Sequence, residues 1–524
     1  MSARPRWTGA GARRGSGDGI LRIGIGAPET LDPATCFDHD GALVLGLLAD
    51  PLVDHEPATG RLRPAAAERW RVDPDGLGIS FDLRPAVRFH DGRASTAEDY
   101  VRALSRAVRP ETGSRIAHHL SLVDGFDEVR AGRADILRGV EATGSHRLRI
   151  SLTRPFHEIA AVFSHRMTTA VPSGPVGAEG AFVGTGPYRL VEGGPGAERL
   201  VLERFTGYHG GNRAYPRGGA GGPRRIEFLV FSDQGAAYEA WKGRDVDLVE
   251  VAGPHSVDAR RHGGAYRLTR CASLTYLGFP LQRPPFDDVE VRTAIALGVD
   301  RHLLCRRIGQ GELVPAEGIV APLLWGGPTV DNPVGPGFDP RRARRILAER
   351  GVRTDRPLPL VCDAGRGNEH WVRLVAAQLR ENLGWEAEVR VLERSAYLNW
   401  LAQPDSVFRA TWVSDYPSVD TMLYPLFHSD SVGGTNYGRY RSPAVDTLMD
   451  EARAAADLPT RMARYRAAEA AVHADLPVLP LWHGTMRHLV ALDGFALEGV
   501  PVDLFGAPSP RMFRERTPWT PPQR

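Results

Sequence analysis

The stretch Phe408-Arg-Ala-Thr-Trp-Val-Ser-Asp-Tyr-Pro-Ser-Val-Asp-Thr-Met422 sets a cation, an aromatic plate and an anion at short spacing. It begins apolar and β-prone and breaks at Tyr416-Pro417, which reads as a strand running into a loop. Strand side chains alternate between faces, so Arg409, the residues around Trp412, and Asp415 at the strand's end are candidates to surround one cavity. That set suits a zwitterionic ligand. Asp415 would hold an amine, Arg409 a carboxylate, and Trp412 the apolar part between them. The same residues also fit a buried strand closed by a turn aspartate and a structural salt bridge, since Asp before a Pro turn is common.

Other chemistries are less well supplied. No G-x-S-x-G, H-E-x-x-H or cysteine-protease signature occurs. His90, His118, His119, His157, His165, His428, His473 and His483 are scattered, and each reads as a surface or hydrogen-bonded histidine rather than a catalytic base. Cys36, Cys271, Cys305 and Cys362 lie far apart, with no C-x-x-C or Cys/His metal spacing. No metal and no cofactor is expected, and distant disulfides stay open. Leu21-Arg-Ile-Gly-Ile-Gly26 carries a G-x-G that runs into Ala27-Pro28, so a dinucleotide loop is not indicated. The net charge of +2 over 524 residues gives no pull toward nucleic acid or membrane. Lys242 is the only lysine, an arginine bias that reads as genome composition. No run approaches the roughly 20 apolar residues of a membrane span. Met1 to Gly19 is rich in Gly, Arg and Ser without an apolar segment, so it reads as a disordered tail rather than an export signal.

The elements that must position the opening stretch alternate along the chain. Strands are expected at Leu21–Gly26, Gly78–Leu83, His146–Leu152, Leu200–Phe205, Arg225–Phe231, Val246–Val251, Leu274–Phe279 and Leu476–Trp482. Helices are expected at Asp40–Leu48, Ala97–Val108, Phe156–Phe163, Gly235–Lys242, Asp288–Leu297, Arg301–Ile308, Asp339–Glu349, Pro443–Ala456 and Pro459–Ala474. Ser95-Thr-Ala-Glu98 has the form of a capping box. Leu358–Cys362, a helix over Glu369–Leu383, and Ala387–Leu392 form a β-α-β unit with a parallel strand pair. The richest glycine run, Gly207–Gly222, is a surface-loop candidate. The arginines of Asp339–Glu349 read as a solvated helix face.

Several stretches, taken in order, resemble the extracellular solute-binding proteins that serve bacterial ABC importers of oligopeptides, dipeptides and nickel. Val87-Arg-Phe-His-Asp-Gly-Arg-Ala-Ser-Thr-Ala-Glu-Asp-Tyr-Val101 is similar to that family's F-x-D-G-x-x-x-T-A-x-D-V signature. Val183-Gly-Thr-Gly-Pro-Tyr188 resembles its G-T-G-P-Y turn, and Pro285–Ile295 its F-x-D-x-x-V-R-x-A-I segment. Phe338–Leu347 resembles Y-D-P-x-x-A-x-x-L-L, and Gly434–Asp446 resembles N-Y-x-x-Y-x-x-P-x-V-D. Trp412-Val-Ser-Asp-Tyr416 matches the W-x-x-D-Y segment with which peptide-binding members hold an α-amine.

The resemblance implies an α/β, two-lobe, periplasmic-binding-protein-like fold (type II, cluster C) with an inserted third domain. Residues 1–20 would be the tail. Residues 21–44, 181–270 and 481–524 would make lobe I, 45–180 the insertion, and 271–480 lobe II. Leu274–Phe279 and Leu476–Trp482 would cross between lobes and allow hinge closure. The implied function is a monomeric receptor, not an enzyme, that delivers peptides or amine-bearing peptide-like molecules to an ABC permease. Asp415, Trp412, Arg409, Tyr276, Phe37, Asn436 and Tyr437 are the expected ligand contacts. The implied location is the outer face of the cell membrane, whereas the first residues carry no signal and leave the cytoplasm open. The alternative is a cytoplasmic relative that binds or processes an intermediate of antibiotic biosynthesis. A transcriptional sensor would need a DNA-binding segment, for which the residues before Leu21 are too few. Pro280 stands where the family often has asparagine, and it offers no N–H there.

Overall fold

The computed structural model describes residues 19–56, 59–174, 182–210, 222–251, 255–325, 337–364, 367–491, 495–497 and 513–515. Nearly all of the expected tail, part of the Gly207–Gly222 loop and most of the C-terminal segment lie outside the described residues.

Ten strands form one sheet: β1 (Ile20–Ile25), β2 (Tyr188–Glu192), β3 (Arg199–Arg204), β4 (Arg225–Val230), β5 (Leu248–Glu250), β6 (Tyr266–Gly278), β7 (Leu358–Asp363), β8 (Ala387–Leu392), β9 (Val407–Val413) and β10 (Val478–Val490). Their order is β8-β7-β9-β6-β10-β5-β1-β4-β3-β2. The N-terminal strands therefore occupy one end and β7, β8 and β9 the other. The long antiparallel pair β6 and β10 joins them. Both strands run further than expected: Leu274–Phe279 is only the last part of β6, and Leu476–Trp482 only the opening of β10. The ladder between them slips between Arg270 and Leu274, where the sheet passes from one half to the other. Pro280 lies past the end of β6, so its missing N–H costs the ladder nothing. β7 and β8 pair in parallel around the helix Asn368–Leu383, as the β-α-β pattern requires.

Residues between the first strand and β2 build a separate four-stranded antiparallel sheet in the order Ala67–Val72, Gly78–Leu83, Arg147–Ser151, Val140–Gly144. It has its own core of Phe81, Phe89, Tyr100, Leu104, Ile150 and Phe163. The helix Ala97–Val108 covers it. Thr96 is its N-cap and donates its backbone N–H to Asp99 Oδ2 at 2.9 Å, so the capping box sits one residue later than the Ser95–Glu98 reading. The expected Phe156–Phe163 helix is reduced to Ile159–Val162.

Two of the motifs explain each other. A Cβ on Gly184 would lie 1.9 Å from the Leu48 carbonyl oxygen, and one on Gly186 2.3 Å from that of Leu47. The G-T-G-P turn thus presses onto the C-terminal end of the helix His39–Leu48, where only glycine fits. His90 clamps it: Gly184 N–H donates to Nδ1 at 3.3 Å, and Nε2 donates to the Gly186 carbonyl at 3.1 Å. A neutral imidazole satisfies both bonds, and burial lowers the His90 pKa to about 4. All four cysteines are free and buried. Among the described residues, no helix is long and apolar enough to cross a membrane.

Candidate functional site

β9 delivers the site. It pairs with β6 along Ser273–Gly278 and with β7 at Val407 and Phe408. The chain then turns through Ser414–Val419 into the helix Asp420–Phe427, an element the apolar run before Pro425 had left unread. Two carboxylates in this turn have opposite surroundings. Asp420 is fully buried and saturated. Arg453 donates to both of its oxygens at 2.7 and 2.8 Å, Tyr465 OH to Oδ1 at 2.9 Å, and Tyr416 OH to Oδ2 at 2.8 Å. That bidentate pair fixes the turn. Among the described residues, Asp415 has no arginine partner. Its backbone N–H donates to Thr421 Oγ1, and its Oδ2 is buried without a hydrogen-bond partner. Burial raises its pKa to about 7, although a quarter of the side chain remains open.

The groups facing Asp415 come from the separate four-stranded layer. His119 Nε2 stands 3.6 Å from Asp415 Oδ2, with its side chain 2% exposed. This approach is not an ion pair, because burial holds the His119 pKa well below its usual value and the imidazole stays neutral. The ring also meets Tyr416 edge-on at 5.8 Å and His165 at 5.0 Å. His118 lies beside it, its ring 4.1 Å away. Further contacts tie this layer to the Asp415 side of the molecule: Arg154 to Asp430 at 2.5 Å, Ser418 Oγ donating to Glu158 at 2.9 Å, and His157 N–H donating to the Arg453 carbonyl at 2.9 Å.

The other expected contacts divide into those near Asp415 and those committed elsewhere. Arg409 does not stand free beside Trp412. It points to Asp363, which is 1% exposed, and donates to Oδ1 from Nε at 2.7 Å and again from Nη2. Strand alternation explains the separation, since positions 409 and 412 differ by an odd number and face opposite sides. Trp412 packs against the adjoining core and donates Nε1–H to the Thr421 carbonyl at 2.7 Å. Asn436 is buried, and its amide bonds are all internal to its turn, to His428 and Tyr440. Tyr276 and Tyr437 line a hollow of about 10 Å³ with Phe408 and Asn436, room for about one water. A larger depression, lined by Pro285, Asp288 and Arg350, includes none of the candidate residues.

Tyr437 marks where the charges meet. Burial raises its phenol pKa, Arg115 and Arg409 pull it down, and Asp415 pushes it up. Arg115 also lies over the Phe37 ring at 5.1 Å. Arg115, which the sequence reading had not singled out, thus lies against Phe37 and acts on the Tyr437 phenol. His118 and His119 were noted there only as part of a scatter. Their one sequence signal is adjacency, and nothing local ties them to Asp415.

Known proteins share this fold. The model for bacterial extracellular solute-binding proteins, family 5 Middle, matches residues 61–434. The chain is 27% identical over 484 residues to the probable deoxycholate-binding periplasmic protein YgiS of Escherichia coli, spanning 90% of this chain and 89% of that one. It is 27% identical over 470 residues to the periplasmic oligopeptide-binding protein OppA of the same organism, spanning 85% and 82%. These relatives are binding proteins rather than enzymes, and they lend no support to a biosynthetic role. Among solved structures, Burkholderia pseudomallei OppA superposes with a TM-score of 0.80 at 22% identity, over 95% of this chain and 99% of that one. The murein tripeptide binding protein MppA of Escherichia coli superposes with 0.79 at 24% identity, over 95% and 98%. The fold is the two-lobe α/β fold of these periplasmic binding proteins, and the chain belongs to the bacterial extracellular solute-binding proteins of family 5.

Proposed function

We propose that this chain is a receptor that closes over short peptides or peptide-like molecules with a free amine and presents them to an ABC importer outside the cytoplasmic membrane. The observation that carries this reading is Asp415, a carboxylate largely removed from water and without a cation among the described residues. An α-ammonium supplies the missing charge, and a charge-assisted hydrogen bond contributes about 1.5–3 kcal/mol net. The relatives named for oligopeptides and murein peptides take ligands of that kind. A bile-acid anion, the ligand in the name of YgiS, would instead bring a second negative charge to Asp415.

The carboxylate end falls to Arg115 rather than Arg409. Arg409 is neutralised by Asp363, whereas Arg115 has no ion-pair partner among the described residues and lies against Phe37. Arg115 and Asp415 both act on the Tyr437 phenol, which supports giving the ligand's two charged ends to these two residues. Native mass spectrometry of the purified protein identifies any trapped ligand. Calorimetry then compares di- and tripeptides with their N-acetylated forms. Acetylation is expected to weaken binding at least about tenfold. Equal affinity for both forms overturns the reading.

A further inference from the structure

We infer that His118, His119 and Asp415 form a binding site for one divalent transition-metal ion of the zinc, nickel and copper class. Their ligating atoms all lie within 4.8 Å of one another, the one such group of three among the described residues. His118 Nε2, His119 Nε2 and Asp415 Oδ2 are all buried without a hydrogen-bond partner. Buried polar atoms left without partners cost free energy, and one ion held among the three would satisfy them together.

The chemistry of the set favours a metal. His118 Nδ1 lies 3.2 Å from the Arg115 carbonyl. A carbonyl only accepts, so the proton is on Nδ1 and the Nε2 lone pair is bare. Metal-bound imidazoles are oriented by the same kind of bond to their second nitrogen. The 3.6 Å between His119 Nε2 and Asp415 Oδ2 is close to the roughly 3.3 Å that two ligands span on a tetrahedral ion with bonds of about 2.0–2.1 Å. Two imidazoles and one carboxylate oxygen suit zinc, nickel or copper rather than calcium or magnesium, which take oxygen ligands. His118 and His119 sit on one turn, Ala117–Leu120, and Asp415 on another element, so the ion would bridge the separate layer and the end of β9. The open quarter of Asp415 leaves room for a captured molecule to complete the coordination.

The ion would take the same carboxylate that the proposed function gives to a ligand ammonium, so the two are alternative occupants of Asp415, and each has its own test. Protein stripped with a chelator and dialysed is titrated with zinc chloride alone by calorimetry, and with cobalt chloride alone by visible absorption. One equivalent of saturable binding is expected, with a cobalt spectrum of low coordination number. His118→Ala and His119→Gln are each expected to weaken zinc binding at least about tenfold. His118 is half-buried, so its variant keeps the test valid where a change at the enclosed His119 disturbs folding, which circular dichroism reports. Absence of saturable zinc binding in the unaltered protein, or unchanged zinc affinity in a folded His118→Ala, overturns the site. A peptide titration on the stripped protein reports on the amine reading alone.

Discussion

Replacing Asp415 by asparagine is expected to raise the stability of the empty protein while weakening its grip on ligand. The carboxyl pKa rises from 3.8 to about 7 on folding. Between those values the native state holds a proton that the unfolded chain releases, so stability falls as pH rises through that window, and the whole cost is present above about pH 7. At about 1.4 kcal/mol per pH unit the cost is about 4 kcal/mol. With a quarter of the side chain open to solvent screening, we reduce it to about 2 kcal/mol. Asparagine cannot ionise, and its amide adds a donor beside the unpartnered His118 and His119 Nε2 atoms. Scanning calorimetry on chelator-treated protein at pH 8 should therefore show Asp415→Asn melting higher than the parent, with the gap closing toward pH 4. Isothermal calorimetry should show its affinity for amine-bearing peptides reduced at least about tenfold. A variant no more stable at pH 8 that binds peptide as well as the parent would refute the assignment of Asp415 as an uncompensated carboxylate awaiting a cation.

Three further variants test the same physics. Arg409→Ala removes one of the partners of the buried Asp363, which keeps Arg394 and Asn368. It should destabilise by about 2–3 kcal/mol, less than the full loss of a buried pair, yet leave the preference for free over amidated peptide C-termini intact. Arg115→Ala should abolish that preference. Calorimetry with matched free and amidated peptides decides between them, and loss of the preference in Arg409→Ala would return the role to that residue. His90 imposes a pH limit. Its pKa falls from 6.5 to about 4 on folding, so its contribution is complete above pH 6.5 and is lost as pH drops toward 4, by up to about 3 kcal/mol. The melting temperature of His90→Gln should fall less steeply than the parent's over that range, and parallel curves would contradict the clamp on the G-T-G-P turn.

Much of the scaffold was legible in the chain. Capped helices such as Pro340–Glu349, whose Asp339 accepts from Arg342 N–H at 3.0 Å, and strands such as Gly78–Leu83 carry their signals within a few residues. The spaced motifs are legible too, because glycine at 184 and 186 answers a steric demand that no other residue meets. The helix Asp420–Phe427 was missed because Pro425 inside it reads locally as a break. The site itself was only half visible. Asp415 could be singled out from its neighbours along β9, and the spacing of Arg409 and Trp412 suggested one cavity. Only the folded chain sends Arg409 to Asp363, leaves Asp415 unmatched among the described residues, and brings His118 and His119 from a separate layer to face it. The division is physical. Caps, turns and strand alternation depend on contacts a few residues apart, whereas the charge state and partners of a carboxylate depend on which distant groups exclude water from it.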